Sequence, residues 1–85
     1  MSEGRLDKWL FHARFCRSRA AAQDAAKVGK IRLNGARVDK PGHALRPGDV
    51  LTLALGGTVQ VVKVLQLGER RGGAVEARLL YEIRD

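Results

Sequence analysis

At Gly29 the hydrophobic period of this chain changes, and no other feature constrains its fold as much. Before that point Leu6, Trp9, Leu10 and Ala13 recur at i, i+3, i+4 and i+7, which lines one face of an α-helix. After it Ile31 and Leu33 alternate with Lys30 and Arg32, the two-residue period of a half-buried strand. A chain of 85 residues has too little surface to hide two separate cores, so helices and strands must bury against each other. The expectation is one α+β domain over residues 1–85, two N-terminal helices packed on a small, mostly antiparallel sheet.

The local signals fill in that outline. The spacing predicts a first helix from Arg5 to Phe15, with Arg5, Lys8 and His12 together on one flank. Ser18 suits the N-cap of a second helix running to Val28, and Gly29 suits its left-handed end. In that helix Ala21, Ala25 and Val28 form the expected apolar face, opposite a row of Arg19, Gln23 and Lys27. Asn34-Gly35 is a strong hairpin turn, followed by a return through Val38 and a loop from Lys40 to Arg46. Arg46-Pro47-Gly48-Asp49 fits a type II turn. Leu51, Leu53 and Leu55 then alternate, Gly56-Gly57 turns, and a strand is expected from Thr58 to Leu67 with a bulge where its phase slips between Val61 and Val62. Gly68 to Gly73 reads as a basic turn, and a last strand is expected with Val75, Ala77, Leu79, Tyr81 and Ile83 inward.

Charge narrows the function. The chain carries a net +7, and residues 1–46 hold eleven basic and four acidic side chains while the remainder holds five of each. An excess confined to one half is the footprint of a polyanionic partner, and its bland alternative is a solubilising surface. No run approaches the ~18 apolar residues of a membrane span. The N-terminus has no apolar signal core, and one cysteine cannot form an internal disulfide, which points to a reducing, cytoplasmic setting.

No catalytic constellation can be written. Gly29-Lys30 is followed by Ile31 and lacks the upstream glycine of a phosphate-binding loop. His12, His43 and Cys16 do not have zinc spacing; Cys16 one helical turn from His12 reads as a small buried residue before it reads as a thiolate. Asp7 between Arg5 and Lys8 reads as a charge partner that orients them. Trp9 is in phase with the core, Phe15 is expected against the sheet, and Phe11 stays open as a partner contact. Few rings and many cations favour recognition of structured RNA by shape and backbone, with phosphate also drawn to the helix start at Ser18.

The order RLDKWL, ARF, SRAAAQDAAKVGKIRLNGARVDKP and RPGDVLTL resembles the S4 RNA-binding domain over residues 5–55, leaving C-terminal strands at about 58–84. RLDKWLFHARF and ERRGGAVEARLLYE resemble, more narrowly, the heat shock protein 15 family. The resemblance implies a non-catalytic protein without cofactor or metal. It implies binding to ribosomal RNA of the large subunit, stranded with peptidyl-tRNA, and a place in stress response or ribosome quality control. Carried onto this sequence, the RNA contacts are Arg5, Lys8, Arg14, Arg17, Ser18, Arg19, Gln23 and Lys27, extended by Lys30, Arg32, Asn34, Arg37 and Lys40. Enteric members carry a long basic C-terminal extension, whereas the length here is more like that of compact quality-control relatives. The rival reading is the RNA-targeting domain of a modification enzyme such as a pseudouridine synthase; a third is a protein adaptor using the neutral half.

Overall fold

A computed structural model describes residues 4–84, and helices pack on one face of an antiparallel sheet. In chain order the elements are β1 (Gly4–Arg5), α1 (Leu6–His12), α2 (Arg19–Lys27), β2 (Ile31–Leu33), β3 (Ala36–Arg37), β4 (Ala44–Leu45), β5 (Val50–Leu55), β6 (Thr58–Val64), α3 (Ala74–Arg78) and β7 (Tyr81–Arg84). Five strands pair in the order β3-β2-β5-β6-β7, each antiparallel to its neighbour, and β1 pairs separately with β4. The α+β expectation holds.

Alternation explains the sheet. Cross-strand register places Leu33 beside Leu51, Leu51 beside Val62 and Val62 beside Ile83, so one row of apolar side chains crosses four strands on the helix-facing side. Against it pack Leu6, Trp9 and Leu10 of α1 and Ala22, Ala25 and Ala26 of α2. Trp9 is fully buried and its indole N–H donates to the Gln66 carbonyl at 2.8 Å, so its one polar atom is satisfied. Phe15 stacks near both Trp9 and Tyr81, with centroids 5.7 and 4.6 Å away, as expected of a ring against the sheet. Asn34 (φ 51°) and Gly35 (φ 86°) both take the left-handed conformation that a tight hairpin turn needs, and Gly48 (φ 98°) does so in the Pro47-Gly48 turn.

Several boundaries differ from the sequence reading. Helix α1 stops at His12 rather than Phe15, because Arg14 takes a left-handed backbone (φ 64°) and the Phe15 and Cys16 amides fold back onto the Leu10 carbonyl. A glycine would normally signal such a stop, and none is present. Helix α2 buries Ala22, Ala25 and Ala26; Val28, expected inside, is 62% exposed at the C-cap. The five alanines of α2 are alike in size and do not by themselves say which of them are buried, and on its polar side Arg19 and Gln23 both bind Asp7. The expected bulge at Val61–Val62 is absent: pairing runs unbroken from Val50 with Lys63 to Leu55 with Thr58, and Val61 simply points away from the core. Strand β6 ends at Val64, and the Leu65 and Gln66 amides both donate to the Leu80 carbonyl.

The last strand is the largest correction. Residues 74–78 form α3, which buries Ala77 and leads to buried Leu80 three residues on, while Val75 is 80% and Leu79 60% exposed. Alternation and a short i, i+3 pattern are indistinguishable over so few residues. Ile83 is likewise half exposed at the end of β7. Ala44–Leu45, expected as loop, pairs with Gly4–Arg5 and so carries the 41–43 segment over the start of α1.

Candidate nucleic-acid interface

The candidate surface is organised from below by one carboxylate. Asp7 lies in the first turn of α1, where an acidic group opposes the positive end of the helix. The Leu6 and Asp7 amides donate to the carbonyls of His43 and Pro41, so the loop after β3 closes this helix end. The Asp7 side chain is fully buried yet accepts five hydrogen bonds: from Arg5 Nε (3.1 Å) and Nη2 (3.2 Å), the Lys8 amide (2.8 Å), Gln23 Nε2 (3.1 Å) and Arg19 Nη2 (3.4 Å). Burial pushes its pKa up, but the Arg5, Gln23 and Lys8 donors outweigh burial and hold the carboxyl at about 2. The guanidinium of Arg5 is correspondingly raised, chiefly by its hydrogen bond to Asp7.

Asp7 thus draws α1, α2 and the end of β1 together and fixes side chains that keep much of their surface in solvent. Arg5 and Arg19 remain 52% and 46% exposed. The sequence reading paired Asp7 with Arg5 and Lys8; the structure gives it Arg19 and Gln23 instead of the Lys8 ammonium, and takes only the amide of Lys8. Of the row Arg19, Gln23 and Lys27, the first two therefore turn toward the start of α1 through Asp7, while Lys27 is exposed in the last turn of α2.

The remaining expected contacts lie on α1, α2, the hairpin and the loops beside them. Lys8, Arg17 and Lys27 are exposed. Ser18 caps α2, its hydroxyl accepting the Ala21 amide at 3.0 Å. Lys30, Arg32, Arg37 and Lys40 are exposed on and around the hairpin; Arg37 lies across Gly29, where an added Cβ would meet its guanidinium at 2.6 Å. Asn34 has both ends of its amide engaged inside the chain, accepting from the Val50 amide at 2.9 Å and donating to Asp49 at 3.2 Å. Arg14 reaches the other way, donating to the Gly72 carbonyl at 2.9 Å.

His12 corrects the sequence reading. It is buried rather than on the cationic flank, and burial, with smaller effects from Lys8 and Arg19, holds its pKa below the usual value against a hydrogen bond to the Leu67 backbone. Cys16 is buried as expected, and burial raises its thiol pKa. His43 is exposed and close to the Ala44 carbonyl. Among the described residues no group of three or more His, Cys, Asp or Glu side chains could hold a metal ion, and no helix is long and apolar enough to cross a membrane.

The model of the S4 domain family matches residues 4–51, more than half of the chain. The solved trimeric structure of Vibrio cholerae heat shock protein 15 superposes with a TM-score of 0.91 at 36% identity, covering 98% of this chain and 83% of that one. The chain belongs to the S4 domain family, within its heat shock protein 15 group. It is 45% identical to the heat shock protein 15 homolog of Aeromonas salmonicida over 92% of its own length, and spans 58% of that relative. It is also 40% identical over 72 residues to the small ribosomal subunit protein uS4 of Azoarcus sp., of which it covers 34%. The family match takes in the whole Asp7 cluster and the hairpin, and ends within β5.

One feature of the surface has no precursor in the sequence reading. Arg71, from the charge-neutral half, lies over the Phe11 ring at 4.8 Å. A contact across 60 residues leaves no periodic signature.

Proposed function

We propose that this chain is a non-catalytic RNA-binding module of the cytoplasm that docks on ribosomal RNA of the large subunit and acts in rescue of subunits stranded with peptidyl-tRNA. The observation that carries the reading is the cationic cluster over α1 and α2, positioned by a buried carboxylate, on a chain whose second half has no net charge. Phosphate recognition needs cations spaced on a rigid surface, and structured RNA offers its charge by shape. The kinship with heat shock protein 15, and with a protein named for the small ribosomal subunit, supports a ribosomal target. The proposed contacts are Arg5, Lys8, Arg14, Arg17, Ser18, Arg19, Gln23 and Lys27, with Lys30, Arg32, Arg37 and Lys40 extending them and Asn34 at the hairpin turn.

Co-sedimentation with large subunits, with and without peptidyl-tRNA, tests this. Lys8→Glu with Lys27→Glu inverts two exposed charges of the cluster; losing two charged hydrogen bonds at about 1.5–3 kcal/mol each lowers affinity well over tenfold. Lys63→Glu with Arg84→Glu changes net charge equally on the far face of the sheet and leaves association nearly intact. Equal loss in both pairs refutes a localised site. With about five phosphates neutralised, the log-log slope of affinity against salt is near −4; a flat response refutes the electrostatic account.

A further inference from the structure

We propose that Arg71, stacked on Phe11, forms a platform for one unpaired base of the bound RNA at the C-terminal end of α1. The proposal rests on the RNA-binding reading above and gives it a substrate feature, a loop or bulge beside the helical part that the cationic cluster grips.

The pair is built rather than incidental. Arg71 Nε donates to the Phe11 carbonyl at 3.2 Å while its guanidinium lies 4.8 Å from the Phe11 ring centre. Arg14 reaches back in the opposite direction to the Gly72 carbonyl at 2.9 Å. Two guanidinium–carbonyl bonds thereby fasten the 68–73 loop to the end of α1, and Gly72 is buried between them. The orientation of the Arg71 plane is therefore fixed before any ligand arrives.

Phe11 takes no part in the apolar core, where Leu6, Trp9 and Leu10 serve and Phe15 closes against Tyr81. It stays half exposed, as does Arg71. The neighbouring Arg70 is neutralised by Glu76 at 3.0 Å, whereas Arg71 has no acidic partner among the described residues. A planar, un-neutralised cation on an aromatic ring is the type of surface on which unpaired RNA bases stack. Arg14 and Arg17, in the connection that follows the same end of α1, supply charge for the flanking phosphates. A lysine would keep the charge of Arg71 and lose the plane.

Two RNAs with the same number of phosphates decide the matter, one a hairpin with an unpaired loop and one a blunt duplex, each measured by fluorescence anisotropy against the wild-type chain, Arg71→Lys, Arg71→Ala and Arg84→Ala, with melting temperatures alongside. The wild type binds the hairpin more tightly than the duplex. Arg71→Lys weakens hairpin binding about tenfold and leaves the duplex nearly unchanged. Arg71→Ala weakens the hairpin at least as much, and Arg84→Ala weakens neither. If Arg71→Lys binds both RNAs like wild type, or Arg71→Ala weakens both equally, Arg71 is a phosphate contact and the platform is wrong. A fall in melting temperature with both affinities unchanged makes Arg71 a helix cap and also overturns it. If the wild type binds neither RNA, the RNA-binding reading itself fails.

Discussion

The helical end and the sheet of this molecule are held together by different physics. Across β5 and β6 only Lys63 is charged, and the strands are joined by a cross-strand ladder of Leu and Val side chains. At the helical end, α1 and α2 meet through small alanines and through a buried carboxylate with five donors around it. Apolar burial is indifferent to pH and needs no partner. A buried anion is stable only while its cations stay in place, and it holds them there in turn. The lesson is that the polar cluster does two jobs, closing the fold and presenting charge, whereas the ladder does only the first.

The sharpest way to separate the two regions is to damage the ladder. Leu53 is 1% exposed, and Leu53→Ala is expected to cost about 3 kcal/mol of stability by chemical denaturation. The fraction that stays folded is expected to bind RNA with wild-type affinity; a matching loss of affinity would join what the comparison separates.

Acid probes the other region. The carboxyl of Asp7 titrates near 2 in the fold against 3.8 ordinarily, so its contribution is present above about pH 4 and is lost as pH falls toward 2. That amounts to about 2 kcal/mol from the displaced pKa. His12 acts in the same direction at higher pH: its imidazole is held below 6.5, so the unfolded chain takes the proton first and stability declines as pH drops through that value. Thermal melts from pH 8 to pH 2 are expected to fall in two stages, and Asp7→Asn removes the lower one. A curve unchanged by Asp7→Asn would mean other carboxylates control acid stability.

The sheet was legible because its strands alternate and its turns use Asn34-Gly35, Pro47-Gly48 and Gly56-Gly57, which carry their geometry in their residue types. The end of α1 was not, since Arg14 occupies a left-handed position usually marked by glycine. The rotation of α2 was misread because its five alanines are alike and leave open which of them are buried, and α3 because five residues satisfy both periods. Most expected contact residues are exposed where the sequence placed them. The burial of His12 and the Arg71–Phe11 contact were both missed for a common reason: the 65–73 segment folds back over α1, covering the imidazole and bringing a guanidinium onto Phe11. Nothing local encodes that return.

The central claim, that Asp7 positions the cations which bind RNA, is tested most directly by the affinity of Asp7→Asn for structured ribosomal RNA at pH 7, with folding verified by circular dichroism. The substitution raises the net charge by one, so an account based on total charge expects tighter binding. With Arg5 and Arg19 released from their shared carboxylate, affinity is expected to fall about threefold to tenfold, a loss of one charged hydrogen bond or less. A folded Asp7→Asn protein that binds RNA as tightly as wild type, or more tightly, contradicts the account.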